Sequence, residues 1–267
     1  MKMVAAAKLK AAQTRVDPAV KFNEGTAKAF AGLVADDAEA ADYAAEQVPP
    51  KGGSKHLVVI VTTDRGLCGA VTSNVTRRGI EEIRVQKFKD GDYVVASIGT
   101  KGQDAIVGQG KAAALGLVAA ELSVKPPTFT EVAYLADALL AQKPKSITVV
   151  YNHFVNLLTN KLVVQRLLAL PQLKAATKWK ETEFDDEDSF ESLAEFQFAS
   201  LLYAAVLDNA TVEQATRMTA MEAAASNAAE LVKGLTLKYN KTRQAVITTE
   251  LSEIVSGMAA ILGSGSK

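Results

Sequence analysis

Cysteine and histidine are nearly missing from this 267-residue sequence, which has one of the first and two of the second. A single thiol, Cys68, excludes an internal disulfide and any Cys-rich zinc site. Placed close to the end of a strand-like run, it reads as a small buried hydrophobe. His56 and His153 leave only two places for a His-ligated metal or a His general base, and neither has a partner nearby in sequence. Charge of one sign is missing too. Lys plus Arg and Asp plus Glu both total 30, so no overall positive field exists to hold a phosphate backbone or an anionic membrane. There is no uncharged apolar run of about 18 residues, and the greasiest piece, Ala112 to Ala120, is too short to span a bilayer. Proline is absent after Pro171, which leaves the last third of the chain free to be one uninterrupted helix.

What is present is apolar material. At 48% hydrophobic residues the chain can build one large domain or two ordinary ones. From Met1 to about Gln47 it is rich in Ala, Lys, Glu and Asp, with larger apolar residues at Val4, Val16, Phe22, Phe30, Leu33 and Val34, and this reads as helix. Pro18 is expected to bend that helix or mark a start, and Pro49-Pro50-Lys51-Gly52-Gly53 ends it. Met1-Lys2-Met3-Val4 already lies inside the helical pattern with no capping residue before it, so the helix is expected to start upstream, along with any targeting peptide.

From Lys55 to about Pro171 short apolar runs alternate with helical stretches. His56 to Val61, Tyr93 to Ile98, Ala113 to Ala119 and Ile147 to Tyr151 read as strands. Ala70 to Phe88, Gly102 to Val107 and Glu131 to Ala141 read as helices. This alternation predicts an α/β layer with a mostly parallel sheet. Val155 to Leu158 and Lys161 to Leu168, separated by Thr159-Asn160, are expected to close it as a hairpin. The domains so drawn are an N-terminal coiled-coil helix (1–48), an α/β globular domain (55–175), an acidic linker (176–192) and a long C-terminal coiled-coil helix (193–263). The acidic run from Lys180 to Glu191 reads as a solvated boundary in preference to a cation site or an interaction tail, because nothing in it fixes ligand geometry.

In the last region Met218, Met221, Ala225, Ala228, Val232, Leu235 and Tyr239 follow coiled-coil spacing. Ile247, Leu251, Ile254, Met258 and Ile261 resume it after an eight-residue step. About 65 helical residues make a rod on the order of 100 Å long. Such a stripe must be covered, and the Ala-rich first region, folded back antiparallel with the α/β domain inserted between, is the expected cover. Between Gln244 and Ser266 the only charges are Glu250 and Glu253, far fewer than a solvated helix carries. This predicts a collar of other subunits around a bearing tip formed by Ile247, Leu251, Ile254 and Met258.

Four passages resemble the γ subunit of F-type ATP synthases, the central rotor shaft. They are Met1 to Leu9, Thr63-Asp64-Arg65-Gly66-Leu67-Cys68-Gly69, Arg217 to Met221 with Asn227-Ala228, and Tyr239 to Thr248 continuing through Glu250-Leu251, Glu253-Ile254-Val255 and Gly257. The resemblance implies an antiparallel coiled coil of N- and C-terminal helices with an inserted Rossmann-like α/β domain, set inside an α3β3 hexamer. Its foot would meet the small central-stalk subunits (δ/ε) and the c-ring. It also implies no catalytic residue, metal or cofactor in this chain, and contact of Arg243 and Gln244 with a loop of a catalytic β subunit. A guanidinium beside an amide suits bonds that change partner on rotation. The same pair could instead form a polar layer that sets coil register. Lys2, Lys8 and Lys10, with Arg15 and Lys21, form either a basic face toward an acidic lever on β or an ordinary solvated face.

The Thr62 to Gly69 turn and Gly99-Thr100-Lys101-Gly102 each follow a strand, yet neither is a G-x-G-x-x-G or a P-loop, so a nucleotide site is disfavoured. The family normally carries further residues before the Met-x-Met motif. The plant-chloroplast insert with its cysteine pair has no counterpart here, which argues against thiol switching. The sequences after Cys68 and around Arg243 look more mitochondrial than bacterial. The expected location is therefore the matrix side of the mitochondrial inner membrane, with the cytoplasmic side of a bacterial plasma membrane as the alternative. A static coiled-coil adaptor and a small-molecule enzyme built on the α/β domain are the competing functional classes.

Overall fold

The computed structural model describes residues 1–34, 55–122, 125–168 and 187–264. The chain divides into two compact units, Met1–Ala220 and Met221–Lys267.

The first unit is built on a five-stranded sheet of order β3-β2-β1-β4-β5. Its strands are β1 (His56–Val61), β2 (Tyr93–Ile98), β3 (Leu115–Ala119), β4 (Ser146–Phe154) and β5 (Asn160–Leu168). The first four run parallel, joined through α2 (Val71–Val85), α3 (Thr100–Gly108) and α4 (Phe129–Leu140), and β5 returns antiparallel to β4. Central strand β1 is buried at all six positions, as its apolar run Leu57–Val61 requires when helices cover both faces.

Two apolar layers lie on the sheet. On one face Val58, Ile60, Val95 and Val150 pack with Val75 and Ile83 of α2 and Ile106 of α3. On the other, Leu57, Val59, Val61, Ile147 and Val149 pack with Val132, Ala136 and Leu139 of α4 and with Phe198, Leu201, Leu202, Ala205 and Val206. That second group belongs to α5 (Glu187–Ser264), a single helix of 78 residues. One layer of the α/β body is therefore supplied by the start of the long helix. Burying Leu201 or Leu202 completely is worth about 1.5–3 kcal/mol each.

Helix α1 (Lys2–Val34) lies antiparallel along the same part of α5. Phe22 meets Phe196 edge to face, and Lys8, Ala11, Ala12 and Arg15 share a groove with Leu207, Ala210 and Gln214. Leu9, Val16 and Asn23, one heptad apart, are its buried seam, with Ala5. The helix is continuous through Pro18, which therefore marks no helix start. Loss of one backbone donor, which leaves the Thr14 carbonyl without its usual partner, is outweighed by packing along that seam.

Three differences from the sequence reading have simple causes. Helix α4 begins earlier than Glu131, because Thr128 and Glu131 form a reciprocal capping box that starts it at Phe129. The closing hairpin pairs β5 with β4, from Phe154↔Asn160 to Ser146↔Leu168, so Val155 to Leu158 is the loop and not a strand. Asn156 builds that loop by accepting from the N–H groups of Leu158 and Thr159 with its side-chain oxygen. Within the acidic stretch read as a linker to residue 192, α5 is already helical at Glu187; the rest of that run, and the helix expected from 35 to 47, lie outside the described residues.

In the second unit α5 continues as helix, and every described side chain from Glu222 to Ile261 is exposed. The expected antiparallel pairing of α1 with α5 lies within the first unit. With Phe22 opposite Phe196, an antiparallel helix of equal rise brings Lys2 level with about residue 216.

Candidate functional site

Parallel sheets open a crevice where strand order reverses, here between the C-terminal ends of β1 and β4, and that is where doubly wound folds bind ligands. In this chain the crevice is filled by its own helix. Asn209 of α5 donates through Nδ2 to the carbonyl of Thr62 at 2.7 Å and accepts through Oδ1 from Asn152 Nδ2 at 2.9 Å. Asp208 accepts the Phe154 N–H at 2.7 Å, and its other oxygen lies 2.5 Å from His153 Nδ1. One turn on, Glu213 accepts from Arg217 Nη2 at 2.5 Å, while Arg217 Nη1 donates to Gln214 Oε1 at 3.2 Å and its Nε and Nη2 point at the Gly66 carbonyl at 3.4 Å. Asn152, Asp208, Asn209 and Glu213 are all buried.

Burial dominates the electrostatics. Loss of hydration pushes the Asp208 carboxyl above its ordinary value, against the pull of the Phe154 N–H and His153, and pushes Glu213 up against the pull of Arg217. The Tyr151 phenol, also desolvated, is pushed up to about 12.

The glycine-bearing turn that follows β2 is equally closed. Gly99 has φ 104°, and a Cβ there would sit 2.6 Å from Thr62 Oγ1 and 2.9 Å from the Thr63 backbone. At Gly102 a Cβ would lie 2.4 Å from both Ser97 Oγ and Thr62 Oγ1. Gly99 and Gly102 let two strand exits pack tightly. Asp64 finishes the closure, accepting from the N–H groups of Thr100 at 3.1 Å and Glu121 at 3.0 Å, so that the exits of β1, β2 and β3 are tied together. Cys68 is buried, with its sulfur 3.6 Å from Thr63 Oγ1 and from the Arg65 carbonyl. Among the described residues no group of three or more His, Cys, Asp or Glu could hold a metal ion, and no helix is long and apolar enough to cross a membrane.

The residues singled out by sequence fall elsewhere. Arg243 and Gln244 are exposed on α5 within the second unit, as are Ile247, Leu251, Ile254 and Met258. At about 100° per residue, Arg243 and those four apolar residues share a sector of roughly 80°, with Gln244 on its edge. Lys2, Lys8 and Lys10 are exposed on α1 but do not share a face: at the same angular step Lys8 aligns with Arg15 on one side of the buried seam, while Lys10 aligns with Lys21 roughly 140° away. The buried hub around Asn209 was not anticipated. Its signal was available, since Phe198, Leu202, Ala205 and Asn209 follow helical spacing on one buried face, but His153 finds its partner 55 residues along the chain.

A ligand crevice closed by the chain's own helix, which further along bears exposed apolar side chains, defines a scaffold built on a long helix. A family model described as ATP synthase matches residues 1–261. The chain is 34% identical to the mitochondrial ATP synthase subunit gamma of Ipomoea batatas, over 98% of this chain and 79% of that one. It is 30% identical to the gamma subunit of the mitochondrial ATP synthase F(1) complex of Rattus norvegicus, over 98% and 92%. Among solved structures it is similar to a chain in the central stalk and c-ring of the Tetrahymena thermophila mitochondrial ATP synthase, with a TM-score of 0.66, 26% identity, and 84% and 97% of the two chains covered. A chain of the Euglena gracilis mitochondrial enzyme shares the fold at a TM-score of 0.70 and 20% identity, over 100% and 96%. The chain belongs to the γ-subunit family of ATP synthases. It is accordingly a central-stalk subunit, the rotor shaft of the F1 complex, and catalysis by that complex takes place elsewhere.

Proposed function

We propose that this shaft works by presenting the exposed sector of α5 around Arg243 to a ring of catalytic subunits. The observation that carries this reading is the run of exposed apolar side chains Val246, Ile247, Leu251, Ile254, Val255 and Met258 on a helix with Glu250 and Glu253 as its only charges from Gln244 to Ser264. An apolar face of this length is stable in water only when covered, and few charges mean few fixed ion pairs to hold one angular setting. The cover is an α3β3 hexamer. Arg243 and Gln244, at the edge of that face, make exchangeable hydrogen bonds to a β-subunit loop. A shaft that differs from side to side biases three similar sites toward different conformations, because it interacts differently with each state.

At the foot, the small central-stalk subunits (δ/ε) and the c-ring receive the α/β body. Lys8 and Lys10, on opposite flanks of α1, steer opposite charge to both sides of the paired helices. The complex sits on the matrix side of the mitochondrial inner membrane, in keeping with mitochondrial relatives, although bacterial ATP synthase gamma chains such as that of Glaesserella parasuis match at 31% identity. The test is reconstitution with α3β3. Arg243→Ala with Gln244→Ala is expected to lower ATP synthesis and torque at least several-fold while leaving helix content and thermal unfolding of the chain unchanged. Wild-type torque in the double variant would remove the role given to this pair, and failure of the native chain to rotate within α3β3 would leave a static adaptor.

A further inference from the structure

A turning moment carried along α5 leaves that helix through the side chains that seat it on the sheet. Two kinds of contact form the seat. Phe198, Leu201, Leu202, Ala205 and Val206 are apolar and fully buried, and such contacts depend on area without preferring one direction. Asp208 and Asn209 are different. Their four hydrogen bonds reach Thr62 at the end of β1 and Asn152, His153 and Phe154 at the end of β4, on both sides of the strand-order reversal.

Hydrogen bonds weaken steeply once the donor angle falls toward 120°. A roll of α5 by about 20° would move an atom about 5 Å from its axis by close to 2 Å. That displacement breaks a 2.7 Å bond but lets a leucine repack against its neighbours. Because the partners lie on two strands, rolling either way stretches one set. Asp208, Asn209, Asn152 and Thr62 are each no more than 2% exposed, so water cannot replace a lost bond.

We propose that Asp208 and Asn209 are the rotational key of the stalk: they fix the angular setting of α5 on the α/β body, and torque passes between the two through their bonds to Thr62, Asn152, His153 and Phe154. The proposal rests on the rotor reading. Asn209 and Asp208 are positioning residues and touch no nucleotide.

The test uses the assembled F1 complex, with a rotation marker attached to the α/β body and viscous load applied. Asn209→Leu keeps the side chain's size and removes both bonds. Leu202→Ala serves as control, since it damages the same seat without touching a directional bond. Asn209→Leu is expected to lower the torque delivered at the marker at least twofold while ATP hydrolysis by the complex persists. Leu202→Ala, with an equal or larger fall in Tm, should keep native torque. Should Asn209→Leu fail to fold, Asp208→Asn, which retains the acceptor for the Phe154 N–H, should show a smaller loss in the same direction. Native torque in the variant that folds would overturn the key. So would an equal loss in Leu202→Ala, which would assign the effect to stability alone. A native complex that does not rotate would instead sink the rotor reading, so the two failures are distinguishable.

Discussion

Phe22 and Phe196 meet edge to face with ring centroids 6.0 Å apart and an interplanar angle of 89°, which pins α1 to the beginning of α5. Phe129 lies 6.0 Å from Phe196 on its other side and 5.7 Å from Tyr203, so the aromatic contact also ties α4 to the pair.

A double-mutant cycle over Phe22→Leu and Phe196→Leu isolates that geometry. The coupling is expected to be about 1 kcal/mol, since an edge-to-face pair contributes beyond its buried area even where, as here, the rings are partly exposed. Urea unfolding of the four proteins measures it, and a coupling indistinguishable from zero would mean the two rings meet without holding the helices.

Glu82 of α2 is 1% exposed and is held by the guanidinium of Arg166 on β5, with Arg78 beside it at 3.4 Å. Arg166→Met leaves most of that charge uncompensated and is expected to cost about 3 kcal/mol, whereas replacing both residues by Leu should cost less than the single change. Chemical denaturation of the single and double variants decides between this view and one in which the pair is a dispensable surface bridge.

Asp208 gives the chain an unusual acid response. Its folded value is raised by burial above that of the unfolded chain, so in the window between the two values the folded protein holds more protons. Its contribution to stability is therefore fully present below the unfolded value and is lost as pH rises through the folded one. Asp208→Asn removes this dependence. Comparing urea midpoints between about pH 4 and 7, wild type should gain on the variant as the pH falls. A difference that moves the other way would mean that the pair with His153 outweighs desolvation.

The alternation of apolar runs with helical stretches was enough to read the parallel sheet, because a strand buried on both faces must be apolar along its length and β1 is from Leu57 to Val61. Boundaries failed where a side chain, and not a hydrophobic period, set them: the Thr128 capping box moved the start of α4, and Asn156 turned a stretch with strand-like composition into a loop. Pro18 shows tertiary packing overriding a local rule. The hub was harder to see. Thr62, Asn152 and Asn209 lie far apart in the chain, and only the fold puts a polar pair in an otherwise apolar helix opposite two strand ends. Cys68, Gly99 and Gly102 illustrate the opposite case, in which residues that invite a chemical reading are taken up by packing. The exposed sector around Arg243 was visible in sequence as a shortage of charge, since neither its spacing nor its composition depends on anything else in the chain.

One layer of the sheet's core comes from Phe198 to Val206, beyond every strand it covers. During synthesis the five strands and their helices would emerge from the ribosome with one face covered only in part, by α4, and the body would close only once the first turns of α5 arrived. The head therefore depends on the shaft for its own folding. An excised fragment from Lys55 to Pro171 would lack the part of that layer given by α5, and a chain cut short before Phe198 would leave the apolar face that Phe198 to Val206 cover exposed to water.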